Sequence, residues 1–228
     1  MPNYAMVIDL HKCAGCGACA ITCKNENNVP EGMYWSNYIH RTRGKFPNVR
    51  YEFVPTLCNH CEDAPCVKAC PVGAMHKDEN GLTLHNPDKC IGCKACVQAD
   101  PYGVIYFNEE KPHEFWHNKE QAIEKGTSSG KEMADKYDAP FPFYNPDRAK
   151  TYGGVRPKGI VEKCTLCDHR IKDGDVPYCV ASCPSGARVF GDLEDPKSEI
   201  NKLLNKYSYF KLGENFGTKP KVFYIREF

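Results

Sequence analysis

No apolar run in this chain approaches the roughly 18 residues that a membrane-spanning helix needs; "GVIYF", residues 103–107, is about as long as they become. Direct insertion into a membrane is therefore not expected. An excess of charge of either sign is missing too: 30 Lys and Arg stand against 29 Asp and Glu, a formal net charge of +1. Without a global positive field, nucleic acid and anionic membrane surfaces are disfavoured as partners. The start, "MPNYAMVIDLHKC", has neither a basic segment followed by an apolar core nor a twin-arginine pair, so it is expected to carry no export signal of its own. Low-complexity sequence is absent, and 228 residues leave room for one larger domain or two small ones.

Cysteine is what the chain has in excess, 15 in all. The number is odd, and most lie two or three residues apart, where neighbours compete for the same small volume. A disulfide framework spreads its cysteines to close longer loops, so ligation of a metal cluster is the stronger reading. There are four groups: Cys13, Cys16, Cys19 and Cys23 in "CAGCGACAITC"; Cys58, Cys61, Cys66 and Cys70 in "CNHCEDAPCVKACP"; Cys90, Cys93 and Cys96, followed by Asp100, in "CIGCKACVQADP"; and Cys164, Cys167, Cys179 and Cys183 in "CTLCDHRIKDGDVPYCVASCP". Each is Cys-x2-Cys, a variable gap, then Cys-x3-Cys, with Asp in the last place of the third. This is an internal repeat.

Repeats two, three and four continue with Pro, a small-residue turn and a short β-rich stretch, "VGAMHKDENGLTLH", "YGVIYF" and "SGARVF". Each unit is expected to fold as a ligand loop, a half-turn helix carrying the last ligand, and a strand. Repeats two and three adjoin, like a bacterial ferredoxin, which leaves one and four to pair across the fold. The expected class is α+β: two bacterial-ferredoxin-like modules, one contiguous and inserted into the other, with long irregular connections. The outer, split module takes residues 1–54 and 156–192 and the inner module 55–107; an aromatic-bearing insertion occupies 108–155, and a C-terminal helix and strand 193–228. The cysteine-free connections, 24–54 and 108–160, are read as covers over the clusters and docking surface, with solvated excursions as the alternative. In "EDPKSEINKLLNKY", Asp195 is expected as N-cap and Pro196 at the first helical position. Ile200, Leu203, Leu204 and Tyr207 then share a packing face, and "KVFYIREF" reads as a strand.

Zinc is the rival metal, since paired Cys-x2-Cys groups also build closed tetrahedral sites. Spacing separates the two: Cys-x2-Cys-x2-Cys-x3-Cys-Pro gives three ligands to one cubane and its fourth to the neighbouring one. Applied here, that rule assigns Cys13, Cys16, Cys19 and Cys183 to one cluster and Cys23, Cys164, Cys167 and Cys179 to its partner. In the inner module, Cys70, Cys90, Cys93 and Cys96 hold another. The remaining cluster has Cys58, Cys61 and Cys66, with Asp100 the candidate for its fourth corner. Three outcomes follow there: a 3Fe-4S cluster, a 4Fe-4S cluster with a carboxylate on one iron, or no cluster. Carboxylate is harder than thiolate and holds iron more loosely. If the iron left, however, Asp100 would face an anionic cluster without an intervening cation, which favours an Asp-ligated 4Fe-4S cluster in anaerobic protein. His60 and His169, inside ligand runs, are candidates to donate to cluster sulfur. Lys12, Lys89 and Lys163, each preceding a first cysteine, are candidates to offset cluster charge, solvated lysines being the plainer alternative.

Together, "YAMVIDLHKCAGCGAC", "PTLCNHCEDAPCVKACPVGAMHK", "CIGCKAC" with "PYGVIYFN", and "EKCTLCDHR" with "CVASCPSGARVFGDL" resemble the four-cluster iron-sulfur subunits of molybdenum oxidoreductases of the dimethyl sulfoxide reductase class. Within that class, "WSNYIHRTRGKFPNVRYEFVPTLCNHC" and "VFYIREF" are most similar to small subunits of respiratory arsenate reductases. Subunits of polysulfide, thiosulfate and tetrathionate reductases and of anaerobic phenol hydroxylases and transhydroxylases are near alternatives. The resemblance implies a non-catalytic relay of single electrons between a large molybdopterin subunit and a membrane quinol-oxidising subunit or soluble carrier. It also implies that the cluster of Cys13, Cys16, Cys19 and Cys183 lies nearest molybdenum and that of Cys70, Cys90, Cys93 and Cys96 nearest the outside donor. Asp100 departs from the usual cysteine set. A periplasmic location, reached by co-export with the catalytic subunit, is implied, with the cytoplasm as the alternative. A stand-alone polyferredoxin is the rival of another class.

Overall fold

Strand-forming residues from the two ends of the chain meet in one sheet. In the computed structural model, which describes residues 1–110, 132, 135–138 and 157–227, β1 (Tyr4–Asp9) lies at the sheet's centre. It pairs parallel with the C-terminal β10 (Val222–Ile225), Met6 opposite Val222, and antiparallel with β8 (Arg188–Asp192), Ile8 opposite Arg188. The short β9 (Tyr209–Phe210) completes the order β8-β1-β10-β9. Side chains alternate across a strand, so Ala5 and Val7 pack with Phe223 and Ile225 on one face, beneath Ile200, Leu203, Leu204 and Tyr207 of helix α6 (Glu199–Lys206). Met6, Ile8 and Tyr224 turn to the other face and meet Cys23, Cys58, Cys164 and Cys179. One side of the sheet is thus sealed by a helix and the other forms a wall against the cysteines.

Because β1 runs into repeat one and β8 leaves repeat four, their pairing draws these distant segments together. Helix α1 (Ala18–Asn27), carrying Cys19 and Cys23, packs on α5 (Tyr178–Ala181), which follows the short α4 (Asp168–Lys172) and carries Cys179. Likewise α2 (Pro65–Lys68), with Cys66, packs on α3 (Ala95–Ala99), with Cys96. In repeats two, three and four the helix therefore carries the third position and the fourth falls just beyond it, contrary to the expected helical last position; in repeat one both Cys19 and Cys23 are helical. The reason is proline: Pro71, Pro101 and Pro184 follow the fourth position, and the residue before a proline avoids helical geometry. Between these helices, β4 (Met75–Lys77) pairs with β5 (Thr83–His85), and β6 (Tyr106–Phe107) with β7 (Val161–Glu162). The β6–β7 pair clamps the ends of the connection between repeats three and four; its aromatic interior, with "KPHEFWHNKE" and "FPFYNP", lies outside the described residues apart from a few positions.

The connection at 24–54 is not irregular. It holds most of a hairpin, β2 (Ser36–Lys45) against β3 (Asn48–Leu57), in register from Ser36 opposite Leu57 to Lys45 opposite Asn48. The boundary drawn at 54/55 falls inside β3. Aromatic and β-branched residues favour strands, and here Tyr38, His40, Tyr51 and Phe53 form a ladder on one face, Tyr51 and Phe53 edge to face at 4.9 Å. On the other face Glu52 is buried and takes Arg41 at 2.6 Å and Arg43 at 3.1 Å. Near the C-terminus, Ser198 rather than Asp195 precedes helix α6; Asp195 instead accepts the Lys197 N–H at 2.9 Å in the turn before it. The expected packing face and final strand are both present.

Candidate metal centres

All 15 cysteines are free thiols. Cys13 and Cys16 follow β1, Cys19 opens α1, and Cys183 lies past α5; the four line one cavity with Tyr38, Pro55 and Arg188. Gly15 lies in this loop at φ +65°, and a Cβ there would come within 2.3 Å of the Phe53 ring, so the loop can pass the hairpin only with glycine. Cys70, Cys90, Cys93 and Cys96 line a second cavity with Met75, His85, Ile91 and Val161. A third is lined by Cys58, Cys61, Cys66 and Asp100, with Thr83 and Tyr102. The remaining four, Cys23, Cys164, Cys167 and Cys179, are all buried. Burial pushes the Cys23 thiol well up, and the other three push it further. Each group of residues expected at one cluster is thus brought together from separate stretches of chain.

Burial keeps most of these cysteines neutral until something cationic binds them. Burial raises the thiol of Cys66 to about 12 and of Cys96 to about 11, with neighbouring thiols adding to each. As bare thiolates crowded in a core these groups would repel one another; a bound cationic core converts them into ligands. Among the described residues no three His, Cys, Asp or Glu close in on a single-ion site. Zinc demands sulfurs at about 2.3 Å from one centre, whereas the groups of Cys13, of Cys58 and of Cys70 each line a space, as a larger iron-sulfide core needs.

Repeats two, three and four share one device. In "CPVGA", "DPYGV" and "CPSGA" the fourth-position side chain is met by amides of the turn that follows. Although burial acts to raise Cys70 and Cys183, backbone N–H groups of that turn bring both thiols below their ordinary value, with Ser185 helping at Cys183. Ala187 donates to Cys183 Sγ at 3.3 Å. Asp100 takes the same part: its Oδ1 accepts the Tyr102 N–H at 3.2 Å and its Oδ2 the Val104 N–H at 2.8 Å. The third repeat has a carboxylate in place of the thiol and keeps the nest.

Neither candidate histidine donates to sulfur among the described contacts. His60 Nδ1 accepts the Thr83 N–H at 3.1 Å, and burial, then Lys163, Lys221 and Lys77, hold its pKa well down. His169 pairs through Nε2 with Glu26 at 2.8 Å. Of the three lysines, Lys12 and Lys89 are exposed, but Lys163 is fully buried, donating to the carbonyls of Thr83 and Cys164. Sequence reasoning missed Asn27, whose Nδ2 lies 3.4 Å from Cys23 Sγ and 3.7 Å from Cys167 Sγ. It missed Arg188, whose Nη2 lies 3.4 Å from Cys19 Sγ, and Lys77, whose Nζ donates to the Cys61 carbonyl at 2.7 Å. Asn27 stands four residues after Cys23, one helical turn, and that spacing was the available signal.

Two family models match. One, a 4Fe-4S dicluster domain, matches residues 49–117 and 149–193; the other, a 4Fe-4S binding domain, matches residues 10–33. The arsenate respiratory reductase iron-sulfur subunit of Shewanella sp. (strain ANA-3) is 53% identical over 99% of this chain and 97% of its own length. The putative dimethyl sulfoxide reductase iron-sulfur subunit of Halobacterium salinarum is 37% identical over 99% and 79%. A selenate reductase subunit of Mesobacillus selenatarsenatis is 35% identical over 98% and 72%.

Proposed function

Since the chain belongs to the iron-sulfur electron-transfer subunits of dimethyl sulfoxide reductase-class complexes, and is not itself the catalyst, we propose that it serves an arsenate-reducing member of that class. In this reading it relays single electrons through four clusters between a molybdopterin catalytic subunit and a quinol-linked or soluble partner. Iron-sulfur clusters supply reversible one-electron chemistry. The ligands are Cys13, Cys16, Cys19 and Cys183 at the first cluster; Cys23, Cys164, Cys167 and Cys179 at the second; Cys58, Cys61, Cys66 and Asp100 at the third; and Cys70, Cys90, Cys93 and Cys96 at the fourth. Repeats two and three form a module inserted between the halves of the outer one.

The observation that carries the relay is the pattern of exposure. The first and fourth quartets each have one exposed cysteine, Cys16 and Cys93, whereas every cysteine of the second and third is buried. Thiols of successive quartets also act on one another: Cys19 on Cys179, and Cys58 on Cys164. Two openings joined by a buried interior make a conductor with two contacts, the first facing the catalytic subunit and the fourth the outside donor. The complex works in the periplasm, carried there with its catalytic subunit. Anaerobic purification with the native partner tests the reading: about 16 iron atoms per chain, matching sulfide, and molybdenum in the partner are expected. A partner without molybdenum or tungsten, or about half that iron, would refute it, as would fractionation with cytosolic markers for the location.

A further inference from the structure

We propose that Arg188 is a fixed cation shared by the first and second clusters, holding up the reduction potential of both. The proposal rests on the ligand assignment above and concerns a residue outside it. Arg188 sits on β8 opposite Ile8 and is 3% exposed. Its Nη2 lies 3.4 Å from Cys19 Sγ, a ligand of the first cluster, and its Nη1 3.9 Å from Met6 Sδ. The guanidinium also interacts with the side chain of Cys179, a ligand of the second, which packs in the same buried cluster as Met6. Its backbone N–H is among the amides that meet Cys183.

These partners are sulfur. Among the described residues no carboxylate pairs with Arg188. A guanidinium stays protonated, and a buried charge without a counter-charge is strongly disfavoured. The protein resolves this when Cys19 and Cys179 are thiolates holding clusters. The side chain then acts on two anionic groups and favours the more negative, reduced form of each. Other buried charges are handled differently: Glu52 has three arginines and Asp9 has Arg226.

Arg188→Gln and Arg188→Lys, purified anaerobically in the native complex, are tested by iron and sulfide analysis and by redox titration followed by EPR. In Arg188→Gln, reduction of the first and second clusters, the outer module's pair, should become at least about tenfold less favourable, about 59 mV for a one-electron couple, with the third and fourth, the inner module's pair, unmoved. Arg188→Lys keeps the charge and should recover more than half of the shift. Unchanged outer potentials, inner potentials that move as far, or a lysine variant as low as the glutamine variant with iron retained would each overturn the proposal. Should the glutamine variant lose its outer clusters, the lysine variant decides alone: potentials near the unaltered protein's support the charge role, and a tenfold loss overturns it. Iron well below four clusters in the unaltered protein would instead fault the ligand assignment.

Discussion

Asp100 offers the sharpest test, because its two roles separate by substitution. As the hub of a turn it accepts two backbone hydrogen bonds, at 3.2 and 2.8 Å. Charge-assisted bonds of this kind contribute about 1.5–3 kcal/mol each when dry. The site is half-buried and water takes back part of the loss, so Asp100→Ala should cost on the order of 3 kcal/mol through the turn alone. As a ligand it would hold the fourth iron of the third cluster. Asp100→Asn keeps one acceptor oxygen for the turn but is a far weaker ligand, so it should spare much of the stability and still lose that iron. Asp100→Cys should keep the nest, as Cys183 does with Ala187 at 3.3 Å, and bind the iron more firmly. Iron analysis and EPR after brief controlled oxidation provide the assay. The expected order of retention is Cys above Asp above Asn and Ala, the last two falling from about 16 to about 15 iron atoms with a 3Fe signal. If all four proteins retain iron equally, Asp100 is a turn residue only and the ligand argument fails.

Three further outcomes are expected. Lys163→Met leaves the carbonyls of Thr83 and Cys164 without their buried donor and should lower stability by about 1–3 kcal/mol; redox titration should show lowered potentials at the second and third clusters only. Trp35→Phe removes the Nε1–H donated to buried Glu162 at 3.1 Å and should cost a further 1–3 kcal/mol or so in chemical denaturation. Burial, then Lys163 and His76, push His85 down to about 4 from the ordinary 6.5. The unfolded chain therefore binds this proton more tightly, and the histidine's contribution is complete above about pH 6.5 and lost toward pH 4, on the order of 3 kcal/mol in all. Anaerobic denaturation midpoints at pH 7 and pH 5 should differ less in His85→Gln than in the unaltered protein; equal slopes would refute this account.

Cysteine spacing made the sites legible because the cubane pattern is local: three ligands fit within one loop and helix turn, and the fourth is handed to a neighbour. The hairpin at 36–57 was not read as one. Its strands carry Arg41, Arg43, Lys45 and Arg50 among the aromatics, which blurs the alternation that marks a strand. What rescues them is a buried Glu52 that gathers the arginines, a tertiary fact with no sequence period. The helix start was misplaced for a related reason. Asp195-Pro196 is a sound N-terminal signal, but Ser198 stands three residues on, and its Oγ donates to the Asp192 carbonyl at 2.7 Å, fixing the start where β8 ends. Arg188 and Lys163 were harder still: nothing in "GARVF" or "VEKC" says that the cation points inward.

That inward turn has a consistent logic. Buried acids in this protein are answered by its own donors: Asp9 by Arg226, Glu26 by His169, Glu52 by arginines, Asp168 by Lys172, and Glu162 by Trp35 and Asn108. Buried cations are not answered in kind. Lys163 has carbonyls, Lys221 has Asn3 and the Gly81 carbonyl, and Arg188 has sulfur. Burial, then Lys77, lowers Lys221 to about 8, against the opposing pull of Glu62, Asp78 and Cys61. A formal charge of +1 thus conceals three buried cations, Lys163, Arg188 and Lys221, set near the thiols. Anionic clusters would complete that interior, so folding and cluster insertion belong to one equilibrium, and the same cations that make the empty fold unfavourable set the ease with which the filled one accepts electrons.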